Sequence, residues 1–262
     1  MMSVNECLRS DTKVYLTRDR NFKKGLFYKD ENPELFIKNF NHAEFIGEEL
    51  CHISNINCVH YFLVGCGNYN LKRYSAVGDL KHDYSYKIAS VDFRKSNKKY
   101  KYITDFARLT GKYKFEELLE SAPTEENKKD LCDDLLKMVA LDIYMGQTDR
   151  VFSNFMIEED KDKNLRLAPL FDFEYSLNPS NISKSNIYES DIMTFNNTDE
   201  VKEFMEVYPH FRDLLLSYMD IDLCDCATRA YSSRNLSFPE NKKMYYKAFD
   251  YDRKELIKKI TR

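Results

Sequence analysis

Glycine is scarce in this sequence and tryptophan is absent, with 7 glycines and no tryptophan among 262 residues. Because glycine adopts positive φ without strain, few loops can depend on that conformation. Long apolar runs are missing too, since none approaches the roughly 18 residues that a membrane-spanning helix needs. The first residues, MMSVNECLRSDTKVYL, have neither the apolar centre nor the cleavage site of a signal peptide. We therefore expect a cytoplasmic protein without a membrane span, although export as an effector would leave no readable mark.

The 7 cysteines do not form the even, regularly spaced set of a disulfide framework. Cys224 and Cys226 are too close together for a usual zinc knuckle, and no histidine lies near them. We expect reduced and mostly buried thiols, as in a reducing compartment.

Charge of one sign is not in excess, because charged residues make up 32% of the chain while its net charge is −3. Such a balance does not require a basic face, so we expect no direct nucleic-acid partner. Hydrophobic residues make up 43% of the chain, which is enough for a sizeable core. The length fits one large domain or two small lobes, and we expect a monomer.

The first ninety residues alternate short apolar stretches with charged turns, a pattern that predicts a small sheet. We expect strands over residues 14–16, 25–28, 34–40, 58–67 and 86–93. A helix over residues 42–53 interrupts them, because Phe45, Ile46, Leu50 and Ile53 are spaced for one apolar face.

The remaining residues favour helices around one hairpin. The strongest helix begins after Thr124, a good N-cap, and ends at Gly146. A polar loop follows, and then NFMIEE and LRLAPLFDF flank the turn DKDKN as a hairpin. We expect further helices over residues 103–109, 115–119, 198–220 and 240–260. The chain is therefore predicted to be α+β, with a β-rich N-terminal lobe (1–93) carrying one helix and a helical C-terminal lobe (94–262).

Three polar residues follow the long helix in an order that fits phosphoryl transfer. That reaction needs a carboxylate that orients the hydroxyl nucleophile, and an amide oxygen and a second carboxylate that hold Mg²⁺. Asp149 and Asn154 lie in one loop, and Asp172 is expected at the end of the second hairpin strand. The Asp149–Asn154 spacing alone arises easily by chance. The order of helix, Asp loop, hairpin and Asp-Phe is more specific, because it is that of a kinase catalytic loop and metal-binding segment. The alternative is a turn cap, a strand start and an exposed strand end.

The N-terminal region contains a second pair that a nucleotide site would need. A strand lysine contacts the nucleotide phosphates in such sites, and a helix glutamate holds that lysine. Lys38 lies in the β-forming segment ELFIKNF, and Glu44 opens the following helix, with Glu48 one turn later. We choose Glu44 as the partner. A solvent-facing strand lysine and a glutamate that complements the helix dipole are the alternatives.

The sequence resembles the HipA-like kinases, and within them the short, single-domain CtkA-like serine/threonine branch. The matching segments are FIKNFNHAEFIGEEL, YKIASVDF, LDIYMGQTDRVFSNFMI and RLAPLFDFEYS. The resemblance implies a two-lobed protein-kinase-like fold, ATP and Mg²⁺ as cofactors, and transfer of the γ-phosphate to protein Ser or Thr. It implies the phosphate lysine for Lys38, its partner for Glu44, the catalytic base for Asp149 and Mg²⁺ ligands for Asn154 and Asp172. The resemblance also implies that the segment with Asp92 and Phe93 is the interlobe hinge that holds the adenine.

The sequence departs from this family at several positions. Val151 stands where a histidine usually follows the Asp-Arg pair. The metal motif reads Asp172-Phe173-Glu174 rather than Asp-Phe-Gly. The expected phosphate loop, TRDRNFKKG, has a single glycine. Because the family that the sequence resembles uses a phosphate loop that is not rich in glycine, this argues against a standard eukaryotic-type kinase more than against kinase activity.

Two other functions stay open. A lipid or small-molecule phosphotransferase would share the two-lobed plan, since the acceptor is selected by loop shape. A catalytically inactive pseudokinase would act as a binding module. The retained Asp149, Asn154 and Asp172 argue against the pseudokinase, and the serine-rich loop NPSNISKSN slightly favours protein phosphorylation, including self-modification.

Overall fold

The computed structural model describes part of the chain, and most strands before residue 104 are described by their backbone alone. The described residues are 25–27, 35–39, 41–65, 86–91, 93, 101–103, 114–151, 154–178, 186–234 and 236–262. Together they form a mixed fold of helices and small sheets that is rich in helix. The strand expected over residues 14–16 lies outside the described residues.

A four-stranded antiparallel sheet contains the first strands that the structure describes. Its members are β1 (Gly25–Phe27), β2 (Leu35–Asn39), β3 (Tyr61–Gly65) and β4 (Tyr86–Val91), in the order β1-β2-β4-β3. Lys38 of β2 pairs with Ile88 of β4. The strands that the alternating pattern predicts at these four places are confirmed.

Helix α1 (His42–Ile53) follows β2 and precedes β3 along the chain, and it has the predicted bounds. Phe45, Ile46 and Leu50 are buried as their spacing requires, whereas Ile53 at its last turn is 43% exposed.

The described residues divide into two compact units. The first contains β1 to β4, and the second contains α1 from Ala43 together with every element after residue 98. The contacts of α1 thus group it with the second unit, although the sequence places it within residues 1–93. The predicted lobe boundary after residue 93 stays a prediction.

The second unit is built from helices and two small antiparallel sheets. The strands are β5 (Lys101–Ile103), β6 (Ile157–Glu159) and β7 (Leu165–Leu167), which form one sheet, and β8 (Tyr188–Glu189) and β9 (Thr194–Phe195), which form another. The helices are α2 (Lys114–Glu120), α3 (Glu125–Met145), α4 (Thr198–Val207), α5 (Pro209–Ser217), a 3₁₀ turn (Tyr218–Asp220), α6 (Leu223–Ser232) and α7 (Glu240–Thr261).

Helix α3 is the central element of this unit and has the predicted ends. The Thr124 hydroxyl accepts a hydrogen bond from Asn127 N at 3.1 Å, and Gly146 closes the helix in the left-handed conformation with φ of 60°. The Asn127 side chain donates to Leu165 O at 2.7 Å and accepts from Leu165 N at 2.8 Å. This two-sided contact fixes β7 against α3.

Some sequence predictions need correction. Ile103 ends strand β5, paired with Ile157 of β6, and does not begin a helix. The helical region 198–220 is divided at Pro209, because proline cannot donate the hydrogen bond that a continuous helix requires. Helix α6 was not predicted. Strand β7 ends at Leu167, so Asp172 lies beyond the hairpin and not at its strand end.

The described cysteines are free, and Cys51, Cys224 and Cys226 are buried. Burial raises the pKa values of the Cys51 and Cys226 thiols well above that of an exposed cysteine. Both thiols therefore stay protonated and unreactive near neutral pH. In the part of the chain that the structure describes, no helix is both long and apolar enough to cross a membrane.

Candidate active site

The loop after α3 brings two of the predicted site residues into direct contact. Asn154 Nδ2 donates to the Asp149 backbone oxygen at 2.7 Å and to Asp149 Oδ2 at 2.9 Å. Asn154 is buried and Asp149 is half-buried. Because the amide nitrogen of Asn154 is the donor in both bonds, its side-chain oxygen is the atom that can coordinate a hard cation.

Arg150 is the buried centre of this loop. Its guanidinium forms a two-pronged ion pair with Asp142 of α3, at 2.9 and 2.8 Å. It also donates to the backbone oxygens of Asn154 at 2.8 Å and Phe171 at 2.9 Å. Burial opposes the charge of Arg150, but the adjacent Asp142 carboxylate outweighs burial and raises the pKa of Arg150 above its ordinary value. Arg150 therefore stays charged and joins the Asp149 loop, the Phe171 backbone and α3.

Gln147 makes a second connection between the same segments. Its side-chain oxygen accepts hydrogen bonds from Thr148 N at 2.9 Å and Asp149 N at 3.1 Å. Its side-chain nitrogen donates to Asp172 O at 3.0 Å. The backbones of Asp149 and Asp172 are thus linked through a single side chain.

Asp172 has an unusual backbone conformation for a residue with a side chain. Its φ is +63°, in the left-handed region, where aspartate is among the better tolerated residues. The residue is 8% exposed, so the alternative of an exposed strand end does not fit. A backbone of this kind persists where neighbouring contacts hold it.

Helix α1 supplies one of those contacts. Glu44 Oε2 accepts a hydrogen bond from Phe173 N at 3.1 Å. The Phe173 ring packs over Gly47, where an added Cβ would lie 2.5 Å from Phe173 Cγ. Glu44 and Gly47 therefore fix the residue that follows Asp172.

Glu48, the alternative to Glu44, makes a different contact. It forms a buried ion pair with Arg234, whose guanidinium also lies 4.1 Å from the centre of the Phe45 ring. This pair attaches α1 to the end of α6. The contact of Glu44 with Phe173 makes Glu44 the glutamate that reaches the Asp172 segment in the described contacts.

The described contacts do not join three of the predicted site residues to this loop. Lys38 is described by its backbone in β2, and Asp92 lies outside the described residues. Phe93 is half-buried in the first unit. Their nucleotide-binding roles stay predictions.

The residues of the Asp149 loop and the Asp172 segment are of a chemical type that fits a Mg²⁺ ion. Asp149, Asn154 and Asp172 offer oxygen atoms, which Mg²⁺ prefers. Among the described residues there is no cluster of three or more His, Cys, Asp or Glu side chains that could hold a metal. Mg²⁺ commonly keeps several waters and uses one or two carboxylates, so a site with few protein ligands is in keeping with its chemistry.

Comparison with solved structures defines the class of fold, which is that of protein kinases. The chain is similar to the proinflammatory kinase CtkA of Helicobacter pylori, with a TM-score of 0.58 and 15% identity over 95% of both chains. It is similar to HipA of Shewanella oneidensis MR-1, solved in a toxin–antitoxin complex with HipB and operator DNA, with a TM-score of 0.54 and 11% identity. That match covers 96% of this chain and 68% of HipA. A Golgi casein kinase is similar over 95% of this chain and 73% of its own, with a TM-score of 0.52 and 13% identity.

The chain therefore has a HipA/CtkA-like kinase fold, as the sequence resemblance predicted. No protein-family model and no curated protein matches its sequence.

Several residues of the site were not predicted from the sequence: Gly47, Asp142, Gln147 and the structural role of Arg150. Asp142 carried a readable signal, because a carboxylate within the apolar end of α3 needs a buried partner. Gln147 and Gly47 carried none, since the bond of Gln147 to Asp172 and the contact of Gly47 with Phe173 join residues distant in sequence.

Proposed function

We propose that this protein is an ATP-dependent kinase that transfers the γ-phosphate to a hydroxyl group, in the first place that of protein Ser or Thr and including its own. One observation carries the proposal: on a kinase-like fold, the Asp149 loop and the Asp172 segment are joined by hydrogen bonds through Gln147. We further propose the two-lobed arrangement of such kinases, with residues 1–93 as the N-lobe.

The proposed roles follow from the chemistry of each group. Asp149 orients the acceptor hydroxyl and accepts its proton, while Asn154 contacts Asp149 and offers its side-chain oxygen to Mg²⁺ together with Asp172. When bound, Mg²⁺ neutralises charge on the ATP phosphates. Lys38 contacts those phosphates and Glu44 holds Lys38, and the segment of Asp92 and Phe93 contacts the adenine.

A protein acceptor is favoured by one neighbour, the Golgi casein kinase, whose name gives a protein as its substrate. A lipid or small-molecule acceptor remains the alternative within phosphotransferases, and a pseudokinase the alternative of another class. The buried support of the Asp149 loop favours catalysis, because a pure binding module would not need its carboxylate and amide held 2.9 Å apart.

Labelling with γ-labelled ATP and Mg²⁺ tests the proposal, using purified protein with and without cell extract and mapping the labelled species. Asp149→Asn keeps the size of the side chain and removes its charge. Transfer should fall by roughly 10²- to 10⁴-fold, the range for losing a positioned acid–base group. ATP binding should persist, because the substitution removes one negative charge near the phosphates.

Asp162→Asn is the matched control, because Asp162 is an exposed aspartate in the hairpin turn. It should transfer phosphate like the parent. Absence of transfer by the parent protein would favour the pseudokinase, whereas label in a lipid or small molecule would reassign the acceptor. Full transfer by Asp149→Asn would show that another residue is the base.

A further inference from the structure

Gln147 is the single glutamine of the sequence, and it is 2% exposed. Its amide uses both of its ends: the oxygen accepts from Thr148 N and Asp149 N, and the nitrogen donates to Asp172 O. A buried amide with matched partners on both sides holds those partners at a set separation.

The hydrogen-bond acceptor of the Gln147 side-chain nitrogen, Asp172 O, belongs to a peptide group that is held at both ends. The oxygen of the Asp172–Phe173 peptide accepts from Gln147 at 3.0 Å, and its N–H donates to Glu44 at 3.1 Å. The preceding carbonyl, that of Phe171, accepts from Arg150 at 2.9 Å. Rotation of the Asp172–Phe173 peptide would break the bonds to Gln147 and Glu44 together.

The conformation of Asp172 explains why such support matters. At φ of +63° the residue occupies a sparsely populated region, so an unsupported backbone would relax toward negative φ. A rotated peptide would re-aim the Asp172 carboxylate. The Gln147 side chain also fixes the N–H groups of Thr148 and Asp149 at the start of the Asp149 loop.

We infer that Gln147 is a positioning residue that locks the Asp172–Phe173 peptide and thereby sets the Asp172 carboxylate relative to Asp149. The inference rests on the proposed kinase function and adds to it a residue that acts through others. Gln147 does not touch the reacting atoms. It should govern how readily the site takes up Mg²⁺ with nucleotide.

Two substitutions separate the two sides of the amide. Gln147→Met keeps the length of the side chain and loses all three hydrogen bonds. Gln147→Glu keeps the two acceptor bonds to the loop N–H groups, but it presents an oxygen to Asp172 O and cannot donate when ionised. Both variants lose the bond to the Asp172–Phe173 peptide.

Asn127→Leu is the matched control, because Asn127 is also a buried amide with a two-sided backbone contact, here to Leu165. It lies at the opposite end of α3 from the loop. The measurements are the melting temperature, the Mg²⁺ concentration that gives half of the nucleotide-induced thermal shift, and kcat and KM for ATP at saturating Mg²⁺.

Both Gln147 variants should need about 10-fold more Mg²⁺ for half of the shift, since a lost hydrogen bond leaves a buried carbonyl without its donor. Their kcat should fall more than their KM for ATP rises. Asn127→Leu should lower the melting temperature and keep the parent's Mg²⁺ requirement. An unchanged requirement in both Gln147 variants would overturn the inference, as would a normal requirement in Gln147→Glu alone.

The failure of the proposed function would look different. A parent protein that binds ATP with Mg²⁺ but transfers no phosphate would refute the kinase activity, while the thermal shifts would still test Gln147. A parent without any Mg²⁺-dependent nucleotide shift would refute both.

Discussion

The Phe173 ring lies where any side chain on residue 47 would have to be. An alanine there would place its Cβ 2.5 Å from Phe173 Cγ, a distance that real contacts do not show. The ring would have to move, and with it the peptide that joins it to Asp172. Gly47 is therefore a steric requirement of the Asp172–Phe173 segment, despite the poor helix propensity of glycine.

Gly47→Ala tests this requirement. Propensity alone predicts a gain of about 1 kcal/mol in helix stability. We expect the opposite, a lower melting temperature and at least about 10-fold less transfer, because overpacking costs roughly 1–3 kcal/mol. Phe173→Leu in the same chain should recover part of the stability by freeing space. A Gly47→Ala protein that is more stable and fully active would contradict the packing argument.

The individual site residues differ in how far the sequence reveals them. Asp149, Asn154 and Asp172 could be proposed because a known chemistry requires those side chains in that order. Their support could not be, since Gln147 contacts a residue 25 positions away and Glu44 one 129 positions away. Such contacts depend on tertiary packing, which local spacing does not encode.

Among the elements, α3 carries the Asp149 loop through the buried pair of Asp142 and Arg150. Both side chains are fully buried, and Tyr188 adds a hydroxyl donor to Asp142 at 3.2 Å. For a buried ion pair, the large effect on the free energy of unfolding comes from removing one partner, because the other charge is then buried alone.

Arg150→Met should therefore destabilise the fold by about 3–5 kcal/mol, since it leaves Asp142 buried without its partner. Adding Asp142→Leu should recover most of that loss in a urea titration, because a buried pair can often be replaced by apolar groups. Transfer should stay low in the double variant, since the Asn154 and Phe171 oxygens still lack their donor. Recovery of transfer along with stability would show that Arg150 serves the fold alone.

Glu44 of helix α1 has one observed contact and one proposed contact. Its carboxylate accepts a hydrogen bond from Phe173 N, and it is the proposed partner of Lys38. Glu44→Gln keeps an oxygen for Phe173 N and removes the charge. If the charge holds Lys38, then Glu44→Gln and Lys38→Met should each cut transfer strongly in a folded protein. The double variant should be no worse than the more impaired single one, because the two changes remove one interaction. Additive losses in a double-mutant cycle would separate the two residues.

At the scale of the whole molecule, nucleotide binding should appear as added stability. A ligand that binds the folded state alone raises its stability, by about 2.7 kcal/mol at 100 times its dissociation constant. ATP with Mg²⁺ should therefore raise the melting temperature of the parent. Asp172→Ala should abolish most of that rise, and chelation of Mg²⁺ should do the same in the parent. A full shift in Asp172→Ala would remove Asp172 from the proposed metal site.

Several individual elements were readable from the sequence, because α1, α3 and the strands of the first sheet have strong periodicity and clear ends. Strand β5 was misread as a helix start, since its three residues gain their conformation from pairing with β6. Helix α6 was missed although Asp222, its N-cap, was an available signal. Which unit α1 joins could not be read, because that depends on partners such as Arg234 near the other end of the chain.

The solitary glutamine also makes the loop observable. In a protein labelled with ¹⁵N at glutamine side chains, the one carboxamide gives a single pair of proton resonances that needs no assignment by mutagenesis. The two Nε2 protons of a planar amide are always inequivalent. Donation of one of them to Asp172 O changes their separation, which therefore reports whether that hydrogen bond is made. Titrating nucleotide and Mg²⁺ into such a sample would follow the Asp172–Phe173 peptide directly in solution, without any transfer reaction taking place.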